Sequence, residues 1–269
     1  MRLIYFTKMV AAGNDFIVID NRHGVLRKDL PQAAKRLCDR KRSIGADGVL
    51  FLEKSKKADI RMRIFNPDGS EADMCGNGVR CLARFAADKK IVKNVHRIES
   101  GAGIIDIEVR GSEVKARLTD PKDFRPSVDL SVDGRKEKIC FINTGVPHAV
   151  IFERALDDIL VNERGREIRR HAYFAPTGAN VNFVKVNNRH SIEVRTYERG
   201  VESETLACGS GSTASALVSA SLKGLRSPVQ VHTAGGEVLK VYFESENDCW
   251  KNVCLEGSVQ KTFEGSVAL

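Results

Sequence analysis

Ser70-Glu71-Ala72-Asp73-Met74-Cys75-Gly76-Asn77-Gly78 and Ser203-Glu204-Thr205-Leu206-Ala207-Cys208-Gly209-Ser210-Gly211 are two copies of one pattern, S-E-x-x-x-C-G-x-G. The match continues on the N-terminal side of each copy. Arg63-Ile64-Phe65 corresponds to Arg195-Thr196-Tyr197, and Val49-Leu50-Phe51-Leu52 to Val181-Asn182-Phe183-Val184. Gly13 with Val18-Ile19 corresponds to Gly145 with Val150-Ile151. The offset stays near ~132 residues, far beyond the period of about 20–50 that marks a solenoid. A register held over that length reads as a duplicated domain. The expected organisation is two pseudo-symmetric halves, residues 1–128 carrying Cys75 and residues 129–269 carrying Cys208. The last few residues are free to pack back on the first half.

Each half opens with apolar, strand-like runs: Arg2–Phe6 and Phe16–Asp20 in the first, Lys138–Ile142 and Ala149–Phe152 in the second. A helical stretch follows, over 29–40 and 156–170, with Pro31 in a first turn, where proline is tolerated. Then come a strand, the cysteine motif, a helix, and a hairpin marked by Ser100-Gly101-Ala102-Gly103 or Ala234-Gly235-Gly236. After Cys75, residues Val79, Leu82, Ala83, Ala86 and Ala87 fall on one helical face. After Cys208, Thr213-Ala214-Ser215-Ala216-Leu217-Val218 is small or apolar all round and runs to Gly224, a helix-ending residue. A helix without a polar face is expected to be central and wrapped by strands. The fold class is therefore α/β (α+β), each half a mixed sheet or barrel around a central helix.

Composition narrows the function. Hydrophobic residues make up 42% and charged residues 29% of the 269, an ordinary globular mix able to bury a core. The apolar stretches of MRLIYFTKMVAAGND are broken by Lys8 and closed by Asn14 and Asp15, which fits neither a signal peptide nor a membrane span. The cytoplasm is the expected location. The net charge is +8, but the densest cluster, Lys89, Lys90, Lys93, His96 and Arg97, has no interleaved aromatics. It reads as solvated surface, so neither nucleic acid nor membrane is expected as a partner. Seven cysteines, an odd number, argue for reduced thiols rather than a disulfide framework. No Cys/His spacing suits a metal: Cys75 and Cys81 lack a second ligand pair.

Most cysteines behave as small buried hydrophobes, and that reading is applied to Cys38, Cys81, Cys140, Cys249 and Cys254. It fits Cys75 and Cys208 poorly, because each precedes a G-x-G turn that opens a helix. Glycines there let backbone amides face a ligand, and a helix N-terminus attracts anions. That end stabilises negative charge by roughly 0.3–2 kcal/mol, so a thiol of pKa about 8.5 would fall toward about 7. Such a group suits general-base work at neutral pH. Two such thiols on opposite faces of one carbon form an inversion device: one removes a proton, the other delivers one. Neither phosphate-loop spacing is present. A cysteine hydrolase with His148 as base would leave the second motif unexplained, and a structural hydrogen bond from His148 weighs about as heavily as a supporting role.

The two cysteine motifs, together with Gly13-Asn14-Asp15-Phe16, Asn66-Pro67-Asp68-Gly69-Ser70, Gly145-Val146-Pro147-His148, Asn180-Val181-Asn182-Phe183 and Tyr197-Glu198-Arg199-Gly200-Val201-Glu202, resemble the diaminopimelate epimerase family. The resemblance covers nearly the whole chain in order. It implies two pseudo-symmetric α/β domains with the active site in the cleft between them. It also implies interconversion of LL- and meso-diaminopimelate without pyridoxal phosphate, other cofactor or metal, in lysine and cell-wall synthesis. By position, Cys75 and Cys208 are the implied acid/base pair. Gly76, Asn77, Gly209 and Ser210 are implied to hold the reacting α-carboxylate. Asn14, Asn66, Asn180, Glu198 and Arg199 are implied to read the distal centre, Arg199 pairing its carboxylate. A small-molecule substrate is thus the expected partner, and a homodimer is one assembly open to the chain. Two positions depart from the family pattern: Val146, where many members have Asn, and Gly48, where some have a polar residue. Gly-Asn after the first cysteine, rather than Gly-His, argues against the related proline racemases. A non-catalytic two-lobed binding protein would have no use for a thiol pair.

Overall fold

The computed structural model describes residues 3–26, 29–246 and 249–269. Arg2, at the head of the first expected strand, lies outside the described residues. The chain divides into two compact units, Met1–Ala116 with Gly257–Leu269, and Arg117–Glu256.

The first unit contains β1 (Leu3–Ala11), β2 (Asn14–Asp20), α1 (Leu30–Cys38), β3 (Gly48–Glu53), β4 (Ile60–Phe65), β5 (Glu71–Ala72), α2 (Gly76–Asp88), β6 (Val95–Ser100), β7 (Gly103–Arg110) and β8 (Glu113–Arg117). The chain's last strand, β18 (Gln260–Ala268), pairs antiparallel with β1. Strand pairing runs β18-β1-β2-β3-β4-β6-β7-β8, with β5 attached to β4. Among these pairings, β2–β3 and β4–β6 are parallel, and α1 and α2 are the crossovers that join them.

Those helices lie on opposite faces of the sheet, which explains the unbroken apolar runs Phe16–Ile19 and Val49–Leu52. Phe16, Val18, Leu50, Leu52 and Ile64 pack with Val79, Leu82, Ala83 and Ala86 of α2. The alternating set Ile17, Ile19, Val49, Phe51 and Phe65 packs with Leu30, Ala34 and Leu37 of α1. Each such fully buried large side chain contributes roughly 1.5–3 kcal/mol. Strands from across the sheet, β1, β2, β3, β4 and β7, all touch α2, so the sheet curls about it.

The second unit repeats the plan with β9 (Lys122–Val132), β10 (Arg135–Asn143), β11 (Pro147–Phe152), α3 (Val161–Arg170), β12 (Asn180–Asn188), β13 (Ser191–Glu198), β14 (Ser203–Thr205), α4 (Gly209–Lys223), β15 (Val229–Thr233), β16 (Val238–Glu246) and β17 (Cys249–Ser258). Pairing runs β9-β10-β11-β12-β13-β15-β16-β17, with β14 on β13. The parallel pairs β11–β12 and β13–β15 are again joined through helices, α3 and α4. Strand β9 runs through the 128/129 point where the sequence-based halves meet, and it forms a hairpin with β10.

Two sequence expectations change. The helix expected over 156–170 begins only at Val161. Arg195 Nη1 donates to the carbonyls of Leu156 (2.6 Å) and Ile159 (3.3 Å), acceptors that a helix would use for its own amides. The packing role assigned to Cys249 is also wrong: Cys249 is exposed, because Trp250 takes the inward position of the alternating strand. Helix α4 follows expectation. It is buried from Gly211 to Ser219, touches six strands from β10 to β16, and ends on Gly224 at φ 70°. Among the described residues no helix is long and apolar enough to cross a membrane.

Candidate active site

In the first unit, Cys75 is the N-cap of α2, with extended backbone (φ −142°, ψ 120°). Its carbonyl accepts from Val79 N at 2.8 Å and its Sγ from Gly78 N at 3.5 Å. The thiol therefore takes the place a Ser or Asp oxygen usually holds at a helix start. Gly78 keeps that turn close to the sheet: a Cβ there would stand 3.1 Å from Leu50 Cδ2. Around Gly76 the same construction meets nothing within 4 Å, so the backbone at the tip is open.

Asn14 and Asn77 meet beside this turn, Asn77 Nδ2 donating to Asn14 Oδ1 at 2.7 Å. Their amides are fixed from both ends. Arg80 Nη2 donates to Asn77 Oδ1 (2.8 Å), and Asn14 Nδ2 donates to Asp47 Oδ2 (3.1 Å). Behind them Arg40 bonds Asp15 (2.6 and 3.0 Å) and Asp47 (2.7 Å), while Lys8 pairs with Asp15 at 2.7 Å and donates to Gly45 O. Burial alone would raise the Asp15 carboxyl, but hydrogen bonds and charge from Arg40 and Lys8 hold it well below the usual carboxylate range. The Asn77 side chain is thus committed within the protein, and its backbone amide at the helix start remains the group suited to an anion. Asn66 stays in its own turn, where Nδ2 donates to Ser70 Oγ at 2.9 Å.

In the second unit, Cys208 is the N-cap of α4 (φ −121°, ψ 112°) and is buried. Its carbonyl accepts from Ser212 N at 2.8 Å, and its Sγ lies 3.5 Å from Ser210 Oγ. Glu198, at the end of β13, carries a carboxyl raised chiefly by burial. Hydrogen bonds with the side chains of Thr205 (3.1 Å from Glu198 Oε2) and Cys208 pull the other way. A carboxyl with raised affinity for a proton therefore touches the thiol. Asn180 Oδ1 accepts from Arg199 N at 2.7 Å, and Arg199 Nη1 reaches Thr177 O at 3.4 Å. His148 is wholly buried on β11, and its pKa is depressed to about 3 by burial and then by the charge of Arg199. It is a neutral imidazole at physiological pH.

Each unit therefore gathers its own share of the named residues: Cys75, Gly76, Asn77 and Asn14 in the first, Cys208, Ser210, Gly209, Glu198, Arg199 and Asn180 in the second. Sequence reading missed Arg80, Asp47, Arg40, Asn182 and Thr196. Arg80 carries a faint signal, a cation one turn after Asn77 that is nonetheless wholly buried. Comparing the halves would have exposed the last two, since Leu50 and Ile64 become Asn182 and Thr196.

The diaminopimelate epimerase family matches residues 6–122 and 140–261. Diaminopimelate epimerase of Aquifex aeolicus is 45% identical, covering 98% of this chain and 97% of the relative. The Archaeoglobus fulgidus protein of the same name is 41% identical, covering 99% and 97%. Among solved structures, a Bacillus anthracis PhzF-family phenazine biosynthesis protein superposes with TM-score 0.77 at 18% identity over 100% of both chains. A probable proline racemase from Agrobacterium radiobacter K84 gives TM-score 0.71 at 15% identity, covering 99% and 93%. These two likenesses speak to the fold, which is the α+β architecture with a repeated domain expected from the sequence. The family match, in two segments that each hold one cysteine motif, and relatives of that identity along nearly the whole length lead to one assignment: this chain belongs to the diaminopimelate epimerase family.

Proposed function

We propose that the protein interconverts LL- and meso-diaminopimelate by a two-base exchange of the α-proton, with Cys75 and Cys208 as the acid/base pair. The supporting observation is that each copy of the duplicated motif makes its cysteine the N-cap of a helix in its own unit. Inversion at carbon demands one group per face, and a duplicated helix start supplies two of one kind. One cysteine, as thiolate, takes the α-proton; the other, as thiol, protonates the opposite face. The charge that spreads onto the reacting carboxylate meets the backbone amides of Gly76, Asn77, Gly209 and Ser210 at the two helix starts. Fixed donors aimed at developing charge usually supply more of an enzyme's rate enhancement than any other single effect. Asn14, Asn66, Asn180 and Glu198 read the distal amino acid end, and Arg199 pairs its carboxylate with a planar, two-pronged donor. His148 has a supporting role, and no cofactor or metal takes part.

The two units are on this reading the two descendants of the duplication. The enzyme works in the cytoplasm, where thiols stay reduced, and serves lysine and peptidoglycan precursor synthesis. The test is incubation with LL-diaminopimelate in heavy water, with proline and glutamate as comparison substrates and chiral analysis of each product. Deuterium at the α-carbon together with meso product is expected from diaminopimelate alone. Inversion of proline instead, or binding without exchange, would overturn the assignment.

A further inference from the structure

The two helix starts rest on chemically different floors. Phe16, Leu50 and Ile64 lie on the α2 side of the first unit's sheet, with Leu50 Cδ2 and Ile64 Cδ1 at 3.1 and 3.4 Å from a Cβ built on Gly78. Their counterparts about 132 residues on are His148, Asn182 and Thr196, and strand register confirms the correspondence. Phe16 pairs with Gly48 as His148 does with Asn180, Val18 with Leu50 as Val150 does with Asn182, and Leu50 with Ile64 as Asn182 does with Thr196. A Cβ on Gly211 would fall 2.3 Å from Asn182 Oδ1, so the turn carrying Cys208 sits directly on this amide.

The three polar residues are buried to 4% exposure or less, which makes their hydrogen bonds decisive. Asn182 Nδ2 lies 3.0 Å from Ala149 O, a group that only accepts, so the nitrogen of the amide must face it. Thr196 Oγ1 donates to Asn182 Oδ1 at 3.0 Å, which agrees with that orientation. The same Nδ2 lies 3.2 Å from His148 Nδ1. An amide nitrogen only donates, so His148 Nδ1 accepts, and the ring proton belongs on Nε2. That nitrogen finds no acceptor among the described residues, although it is buried.

We propose that Asn182 is a positioning residue that fixes His148 as the neutral Nε2–H tautomer beneath the Cys208 helix start, making the two halves of the thiol pair unequal. The role of Asn182 in turnover rests on the proposed epimerase reading; the tautomer does not. On this arrangement His148 carries a buried Nε2–H that no described residue accepts, and with Nδ1 already engaged by Asn182 it is not the base that deprotonates Cys208. The corresponding floor of the first unit, Phe16, Leu50 and Ile64, is apolar and offers no side-chain donor at those three places.

The experiment is nitrogen NMR of protein labelled at histidine, with the His148 signals identified by their loss in His148→Gln. Wild type should show Nδ1 unprotonated and Nε2 protonated. A protonated Nδ1 in wild type overturns the proposal outright. Asn182→Asp replaces the donor with an acceptor, so the proton is expected to move to Nδ1; unchanged Nε2–H in a folded Asn182→Asp protein would also overturn it. In Asn182→Leu, which copies Leu50, kcat for diaminopimelate should fall at least tenfold with KM within about threefold. A fall of that kind with the expected wild-type tautomer supports the proposal. Wild-type kcat in Asn182→Leu refutes the positioning role. If no variant or wild type epimerises diaminopimelate, the functional reading fails while the nitrogen spectrum still decides the tautomer.

Discussion

Gly78 and Gly211 hold corresponding places in the two helix starts, yet alanine at each should have very different cost. In Gly211→Ala the new Cβ would lie 2.3 Å from Asn182 Oδ1, against a side-chain amide already committed to Thr196, Ala149 and His148. Either the amide rotates or the first turn of α4 lifts. Rotation strands buried donors and acceptors, at about 1–3 kcal/mol for each group left unpaired; lifting overpacks the core, at about 1–3 kcal/mol. Alanine's better helix propensity returns at most about 1 kcal/mol. The net expectation is a loss of about 2–4 kcal/mol for Gly211→Ala. In Gly78→Ala the nearest atom is the end of the Leu50 side chain at 3.1 Å, which yields by a few tenths of an ångström. Its cost should stay under about 1.5 kcal/mol. Urea unfolding, followed by signals from both units because two-state behaviour is not assured for two units, measures both. Activity gives a second readout, since a displacement of about 1 Å at a reacting group costs up to about 100-fold. If Gly211→Ala unfolds within about 0.5 kcal/mol of wild type, or if Gly78→Ala is the more damaging change, the polar floor does not hold the Cys208 turn in the way described.

Three other outcomes are expected. Cys75→Ala and Cys208→Ala should each lower epimerisation by about 10²–10⁴-fold and Cys38→Ala should leave it unchanged, as turnover of the three purified variants would show; near-normal rates in either of the first two refute the acid/base roles. Arg199→Lys keeps the charge but loses the planar fork, so kcat/KM for diaminopimelate should drop at least tenfold, and equality with wild type would remove Arg199 from the distal site. Acid should weaken the fold through two groups with the same sign. His148, with its folded pKa near 3 against an ordinary 6.5, contributes fully above about pH 6.5 and progressively less as pH falls toward 3. Asp15, held low by Arg40 and Lys8, loses its contribution as pH falls through the carboxylate range. Denaturant midpoints of wild type and His148→Gln should therefore converge between about pH 7.5 and 4.5, and those of wild type and Asp15→Asn only below about pH 5; a gap that widens on acidification contradicts the sign.

Much of this architecture is legible in the sequence because duplication writes each signal twice. The cysteine motifs, the Gly224 stop and the two-faced apolar runs are local patterns, set by propensity and burial over a few residues. What stays hidden is non-local. The delayed start of α3 depends on Arg195 reaching back to Leu156 and Ile159 from another strand. Asn14 is held by Asp47, and Asp47 by Arg40, and no spacing in the chain announces that relay. Asn182 stands out between the halves only as a polar residue in the place of Leu50; its bonds to Ala149, Thr196 and His148 are written nowhere in the sequence. Cys249 misleads because residue type alone suggests burial, while the strand's alternation gives the inward place to Trp250.

Strand β18 imposes an order of events on synthesis. Its partner β1 is made long before it, so the strand that covers that edge follows every other strand of the first unit. Until then the first unit carries an open β-edge, an invitation to wrong pairing. Every strand of the second unit from β9 to β16 is complete earlier, so the second unit is able to close while the first still waits. Domains usually mature from the N-terminus onward; here the first unit is completed only after the strands of the second. Loss of Gly257–Leu269 would therefore injure the first unit, and a bulky domain fused after Leu269 would burden the unit that holds Cys75 rather than the one that holds Cys208.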